Sequence, residues 1–147
     1  MVLLVPFDGS ELSQAALERA SEFSEYTDEA VLALTVVPEE PEYAIERGWL
    51  QPDEPFDPED IAERLRMQAT EIAPDAEFRY EVPDDVSDMA SCTTDIVRTI
   101  RQVASEVDAS IVFVGSENAG RVSTPVSSVG APVSEDPQYD VHIVRHA

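Results

Sequence analysis

The amino-acid sequence predicts an α/β domain in three layers, with helices covering both faces of a mostly parallel sheet. Three observations carry this. Apolar runs alternate with helix-period segments along the whole chain, as β-α repeats do. Two of those runs, Ala30 to Val37 and Ile111 to Val114, are apolar at nearly every position, the mark of strands buried on both faces. The first run, Val2 to Phe7, stops at Asp8-Gly9-Ser10 and passes at once into a helix pattern. A buried strand feeding a helix N-terminus is how open α/β sheets build ligand sites at their carboxyl edges.

In chain order, Leu12, Ala15, Ala16, Ala20 and Phe23 fall at helical spacing behind Ser10, which suits an N-cap, so the first helix is expected over about Glu11 to Ser24. Ala30 to Val37 is the second strand. Residues 38–58 form an extended acidic, proline-rich loop, with a short helix expected at Ala44 to Trp49 and aromatics that tack the loop to the body or cover the neighbouring crevice. Asp57-Pro58 opens a helix whose inward side reads Ile61, Leu65, Gln68, Ala69 and Ile72. Ala76, Phe78, Tyr80 and Val82 alternate with charged residues, as an edge strand does. Ile96, Val97, Ile100, Val103, Ala104 and Val107 mark an amphipathic helix from about Thr94, with Thr93 as its expected cap. Ile111 to Val114 is the fourth strand, and Val141 to Val144 the last, alternating at an edge. Between them a short or bent helix is expected from Thr124-Pro125. Strands one and four should be neighbours at the switch point, bringing Asp8, Val36 and Gly115 to one edge.

Length and composition bound the function. The 147 residues make one domain, 43% of them hydrophobic, with no apolar stretch long enough to span a membrane. No basic segment precedes the first apolar run, so no secretory leader is expected, and a cytoplasmic protein follows. Asp and Glu number 31 against nine basic residues, all Arg, for a formal net charge of -22. The chain has no lysine. Carboxylates at this density repel one another unless salt screens them, which reads as adaptation to a high-salt cytoplasm. It also argues against nucleic-acid binding, which needs a basic footprint.

The residues Val5-Pro6-Phe7-Asp8-Gly9-Ser10, with Ser13 and Ala16-Leu17 behind them, resemble the opening of the universal stress protein family. Thr35-Val36-Val37-Pro38 and Ile96-Val97 through Val112-Phe113-Val114-Gly115-Ser116 extend the likeness over essentially the whole chain. The resemblance implies a Rossmann-like sandwich of the adenine nucleotide alpha hydrolase-like kind, with a five-stranded parallel sheet in the order 3-2-1-4-5. It also implies a homodimer, joined through the C-terminal strand. In nucleotide-binding members, Asp8 and Gly9 would sit beside adenine, Val36 would contact it from the end of strand two, and Gly115 and Ser116 would begin a phosphate loop. The family expects a second loop glycine where this chain has Asn118, and a Gly-Ser step best matched, with a one-residue gap, by Ser127-Ser128. Asn tolerates the left-handed conformation, and the two serines can donate hydroxyls, but Arg121 is the only cation nearby.

No catalytic constellation emerges, and whether the chain is an enzyme stays open. Ser10 lacks a Gly-x-Ser-x-Gly elbow and reads as a cap. Cys92 has no resolving partner, and His142 and His146 have no metal-ligand company. Asp84, Asp85 and Asp88 read as a solvated acidic connection. The leading expectation is a dimeric, UspA-like scaffold acting in stress response through unidentified protein partners. The alternative is an ATP-binding sensor, with Mg²⁺ and at most slow hydrolysis at the loop after strand four. Side chains of the Tyr43 to Phe56 loop packed against both Asp8 and Val36 would overturn the alternative.

Overall fold

β1 (Val2–Pro6) runs through the middle of the sheet, and everything else is arranged about it. The structure, a computed structural model, describes residues 1–83, 92–116 and 139–147. β2 (Ala30–Val36), β3 (Glu77–Glu81), β4 (Ala109–Gly115) and β5 (Asp140–Val144) complete a five-stranded sheet in the order β3-β2-β1-β4-β5, every pairing parallel. This is the predicted order.

The doubly apolar runs are explained by two cores. Leu3, Val5, Val31, Ala33 and Phe113 face α1 (Glu11–Thr27) and α3 (Pro58–Ile72), against Ala16, Leu17, Ile61 and Leu65. Leu4, Leu32, Leu34, Val36, Val112 and Val114 face α4 (Cys92–Glu106), against Ile100, Val103 and Ala104. Alternate residues of one strand thus enter opposite cores, which keeps the middle of the central strands apolar. Thr35 is the buried exception, and its hydroxyl donates to the Phe7 carbonyl at 2.7 Å.

Caps set the helix starts. Ser10 Oγ accepts the Ser13 N–H at 3.3 Å, and Asp57 Oδ1 accepts the Glu59 N–H at 3.0 Å ahead of Pro58. Four expectations shift. α1 runs to Thr27 rather than Ser24, because its last turn, with Tyr26 88% exposed, continues past the apolar stripe. The short helix is α2 (Pro41–Glu46), begun by Pro41 and followed by Gly48 at φ +77°. Thr93 is no cap: α4 already includes it, since apolar spacing marks where a helix meets the core and not where it starts. Gln68 is exposed, and Ala62 takes the inward place. The expected helix near Thr124 lies outside the described residues.

The two short returns from helix to strand each use an aspartate in the left-handed conformation, Asp28 (φ 63°) and Asp108 (φ 55°). Asp28 N–H bonds the Ser24 carbonyl and closes α1. Among the described residues no helix is long and apolar enough to cross a membrane.

Candidate functional site

At the carboxyl end of β1 the chain turns through Asp8 and Gly9 into α1. Asp8 Oδ1 accepts the Ser10 N–H at 2.9 Å, and the Asp8 N–H reaches Ser13 Oγ at 3.4 Å. Gly9 has φ +82°, and a Cβ there would stand 3.1 Å from both Leu65 Cδ2 and Gln68 Oε1 of α3. Glycine is therefore needed twice over, for the backbone angle and for the close approach of α3. Gln14 Nε2 donates to the Gly9 carbonyl at 2.8 Å and holds the turn from the helix side.

Val36 ends β2 beside this turn. Leu34 O accepts the Phe7 N–H on the β1 side, and the Val37 N–H donates to Glu81 O on the β3 side. Successive residues of a strand address opposite neighbours. Val36 shares the parity of Leu34, so its main-chain groups address the β1 side beyond the last ladder pair, Pro6↔Leu34. Continued by two residues, that register sets Val36 opposite Asp8. The Val36 side chain packs into the core under α4, with Ile100 and Val103.

β4 brings Gly115 and Ser116 to the same edge on the other side of β1. A Cβ on Gly115 would lie 2.8 Å from Leu12 Cβ in the first turn of α1. Asp8, Val36 and Gly115 thus come to one edge, the placement the strand order predicts, with Gly9 and Ser116 next to them in the chain. Asn118, Ser127 and Ser128, like Arg121 and the acidic run at residues 84–88, lie outside the described residues.

Sequence reasoning expected the loop after β2 to be tacked down by its aromatics, but it did not single out Arg47 or assign Trp49 to Asp8 in the strap formed by α2 and the residues after it. Trp49, 7% exposed, donates its indole N–H to the Asp8 carbonyl at 2.8 Å. Arg47 Nη1 meets Asp8 Oδ2 at 3.3 Å, and its guanidinium lies 5.0 Å over the Tyr43 ring. Tyr43 in turn stands edge-on to Trp49, with ring centres 5.6 Å apart. The strap is pinned from α3: Arg64 donates to the Trp49 carbonyl at 3.0 Å and to Glu54 at 2.9 Å. That hydrogen bond, with a second from the Gln51 N–H, holds the Glu54 carboxyl below its ordinary value. The aromatics therefore tack the loop to the body and reach Asp8 in doing so, while the side chain of Val36 belongs to the opposite core. The one signal available was a lone tryptophan in an acidic loop, which shows that something packs there but not against what.

Elsewhere, a cleft of about 290 Å³ lies between the end of β3 and α4. Its charges are committed internally: Arg79 bridges Glu81 and Glu106, and Arg98 meets Asp95 at 3.4 Å. Among the described residues no group of three or more His, Cys, Asp or Glu is placed to hold a metal ion.

The model of the universal stress protein family matches residues 1–145. The chain belongs to that family. No curated protein matches it significantly. Solved universal stress proteins share its fold. One, in complex with cAMP, is 24% identical with a TM-score of 0.57, covering 100% of this chain and 98% of that chain. Another, from Archaeoglobus fulgidus in complex with dAMP, is 18% identical with a TM-score of 0.53, covering 98% and 95%. A third, UspA from Lactobacillus plantarum, is 20% identical with a TM-score of 0.51, covering 99% and 97%. In this universal stress protein the switch point of the sheet lies between the carboxyl ends of β1 and β4, beside Asp8 and Gly115.

Proposed function

We propose that this universal stress protein binds an adenine nucleotide, ATP with Mg²⁺ in the first instance, and serves as a sensor whose loops report occupancy to a protein partner. The observation that carries the reading is that Asp8, just past the end of β1, and Val36, the last residue of the neighbouring β2, come to the same edge of the sheet. A carboxylate accepts from the exocyclic amine of adenine, and a strand-end N–H donates to a ring nitrogen. The cAMP and dAMP held by two similar proteins support this class of ligand. On the phosphate side, Gly115, Ser116, Asn118, Ser127 and Ser128 would form a loop poorer in glycine than the family pattern, relying on serine hydroxyls. Mg²⁺ would accompany the phosphates there. Hydrolysis at this loop would be slow, since no general base stands beside it among the described residues.

The setting of the sensor belongs to the same reading. The excess of carboxylates suits a cytoplasm rich in salt, and the outer edge of β5, with Ile143 38% exposed, suits pairing with a second copy of the chain. Light scattering in concentrated KCl should give the mass of a dimer, and a monomer at all concentrations would refute the pairing.

The deciding experiment is nucleotide content. Protein purified in concentrated KCl with Mg²⁺ is denatured, the supernatant is resolved by anion exchange, and the emptied protein is titrated with labelled ATP. Stoichiometric nucleotide, or rebinding at about micromolar concentration that Asp8→Ala abolishes, is the expected result. A blank in both assays leaves a dimeric scaffold that works through protein contacts alone.

A further inference from the structure

We infer that Arg47 is a latch on this site, holding the Asp8 carboxylate until a base carrying an amine takes its place. The inference rests on the nucleotide reading above. An ionised carboxylate only accepts hydrogen bonds, and here each oxygen already has a donor. Ser10 N–H holds Oδ1 at 2.9 Å and is part of the start of α1, so it stays. Arg47 holds Oδ2 at 3.3 Å, longer than a strong charge-assisted bond, from a side chain 36% exposed. Of the two, Arg47 is the donor that can leave.

The residues around it are arranged for that departure. Trp49 is buried and fixed at both ends, its indole on the Asp8 carbonyl and its own carbonyl on Arg64. Between the latch and this anchor lies Gly48, at φ +77°, where an added Cβ would meet nothing within 4 Å. Gly48 closes α2, with its N–H on the Ile45 carbonyl and the Trp49 N–H on the Ala44 carbonyl, so the main chain stays in place and the exposed Arg47 side chain alone swings, without disturbing Trp49. The Tyr43 ring, 5.0 Å beneath the guanidinium, steers it back over Asp8. Binding then needs the open state, and the apparent affinity falls by the fraction of molecules in which the latch is closed. The latch also sorts bases. An amine can replace the guanidinium as a donor to Oδ2, whereas a carbonyl at the same position faces the carboxylate oxygen with no proton to share.

The test is calorimetric titration of the full chain with Mg-ATP and with Mg-ITP, whose base has a carbonyl in place of the adenine amine and a proton on the neighbouring ring nitrogen. Wild type, Arg47→Met, Asp8→Asn and the double variant are compared, with melting temperature and emission of Trp49, the chain's single tryptophan, as checks that the strap stays folded. Arg47→Met should bind ATP about two- to fivefold tighter, the range an exposed ion pair supports, with no gain for ITP and none in the Asp8→Asn background. Equal ATP affinity in wild type and Arg47→Met would overturn the latch and leave the nucleotide site standing. Weaker binding would also overturn it and make Arg47 a contact to the ligand. An equal gain for ITP would reduce Arg47 to an obstacle without selectivity. No ATP binding by any form would remove the nucleotide reading, and the latch with it.

Discussion

Gly115 and Leu12 are in such close register that a Cβ on the glycine would come within 2.8 Å of the leucine Cβ. The glycine at the head of the expected phosphate loop is thus required by packing: it lets the first turn of α1 lie directly on the end of β4. One residue serves the fold and borders the site at once. Gly115→Ala should therefore lower stability by about 1–3 kcal/mol through overpacking, read from urea midpoints at constant slope. A glycine needed only to admit an anion would leave the ligand-free midpoint unchanged.

The indole bond to the Asp8 carbonyl can be isolated from the bulk of the ring. Trp49→Phe retains an aromatic group in the buried position and removes the N–H. The loss expected is about 1 kcal/mol, as for one hydrogen bond whose acceptor is left in a part-buried place. Chemical unfolding of the two proteins side by side checks it, with circular dichroism because the variant has no tryptophan signal.

Acid should loosen the strap before it unfolds the sheet. Glu54 is held below its ordinary carboxylate value of 4.5, first by the Arg64 hydrogen bond and second by the Gln51 N–H. A folded-state value lowered in this way means the unfolded chain binds more protons as pH falls. The contribution is therefore complete above about pH 4.5 and is lost as pH drops through the lowered value. Glu54→Gln, which cannot ionise, should be less stable than wild type at neutral pH and converge on it in acid. A stability difference independent of pH would refute this.

Salt should be a structural requirement. With a net charge of -22 and no lysine, self-repulsion across the surface grows as counter-ions are withdrawn. Dialysis from molar KCl into dilute buffer is expected to lower the melting temperature sharply or unfold the chain. Equal melting temperatures in the two buffers would refute salt adaptation.

The sheet was legible because both faces of β1, β2 and β4 are covered, so their apolar runs stand out from the alternating edges. Asp8 was legible because a polar residue ends such a run abruptly. Arg47 and Trp49 were not, since each meets Asp8 from about forty residues away in a segment with no periodicity. The true start of α4 was missed for another reason: residues before Ile96 carry no apolar spacing to announce it. The contact of Gly115 with Leu12 is a matter of interatomic distance, and the sequence registers only that the position is small.

The left-handed aspartates at Asp28 and Asp108 have a consequence for where the molecule yields. They close the returns from α1 to β2 and from α4 to β4 within two residues each, at the amino edge of the sheet. The long connections, from β2 to α3, from β3 to α4 and from β4 to β5, all emerge at the opposite edge. The tight returns make a stiff heel, and at the other edge the strap is pinned by side chains, Trp49 on the Asp8 carbonyl and Arg64 on the Trp49 carbonyl. Local opening is easiest where few buried contacts resist it, so the exposed side chains of the strap can shift while the strands beneath keep their register. A shift of the strap then alters the surface alone, with the parallel sheet as the fixed support against which it moves.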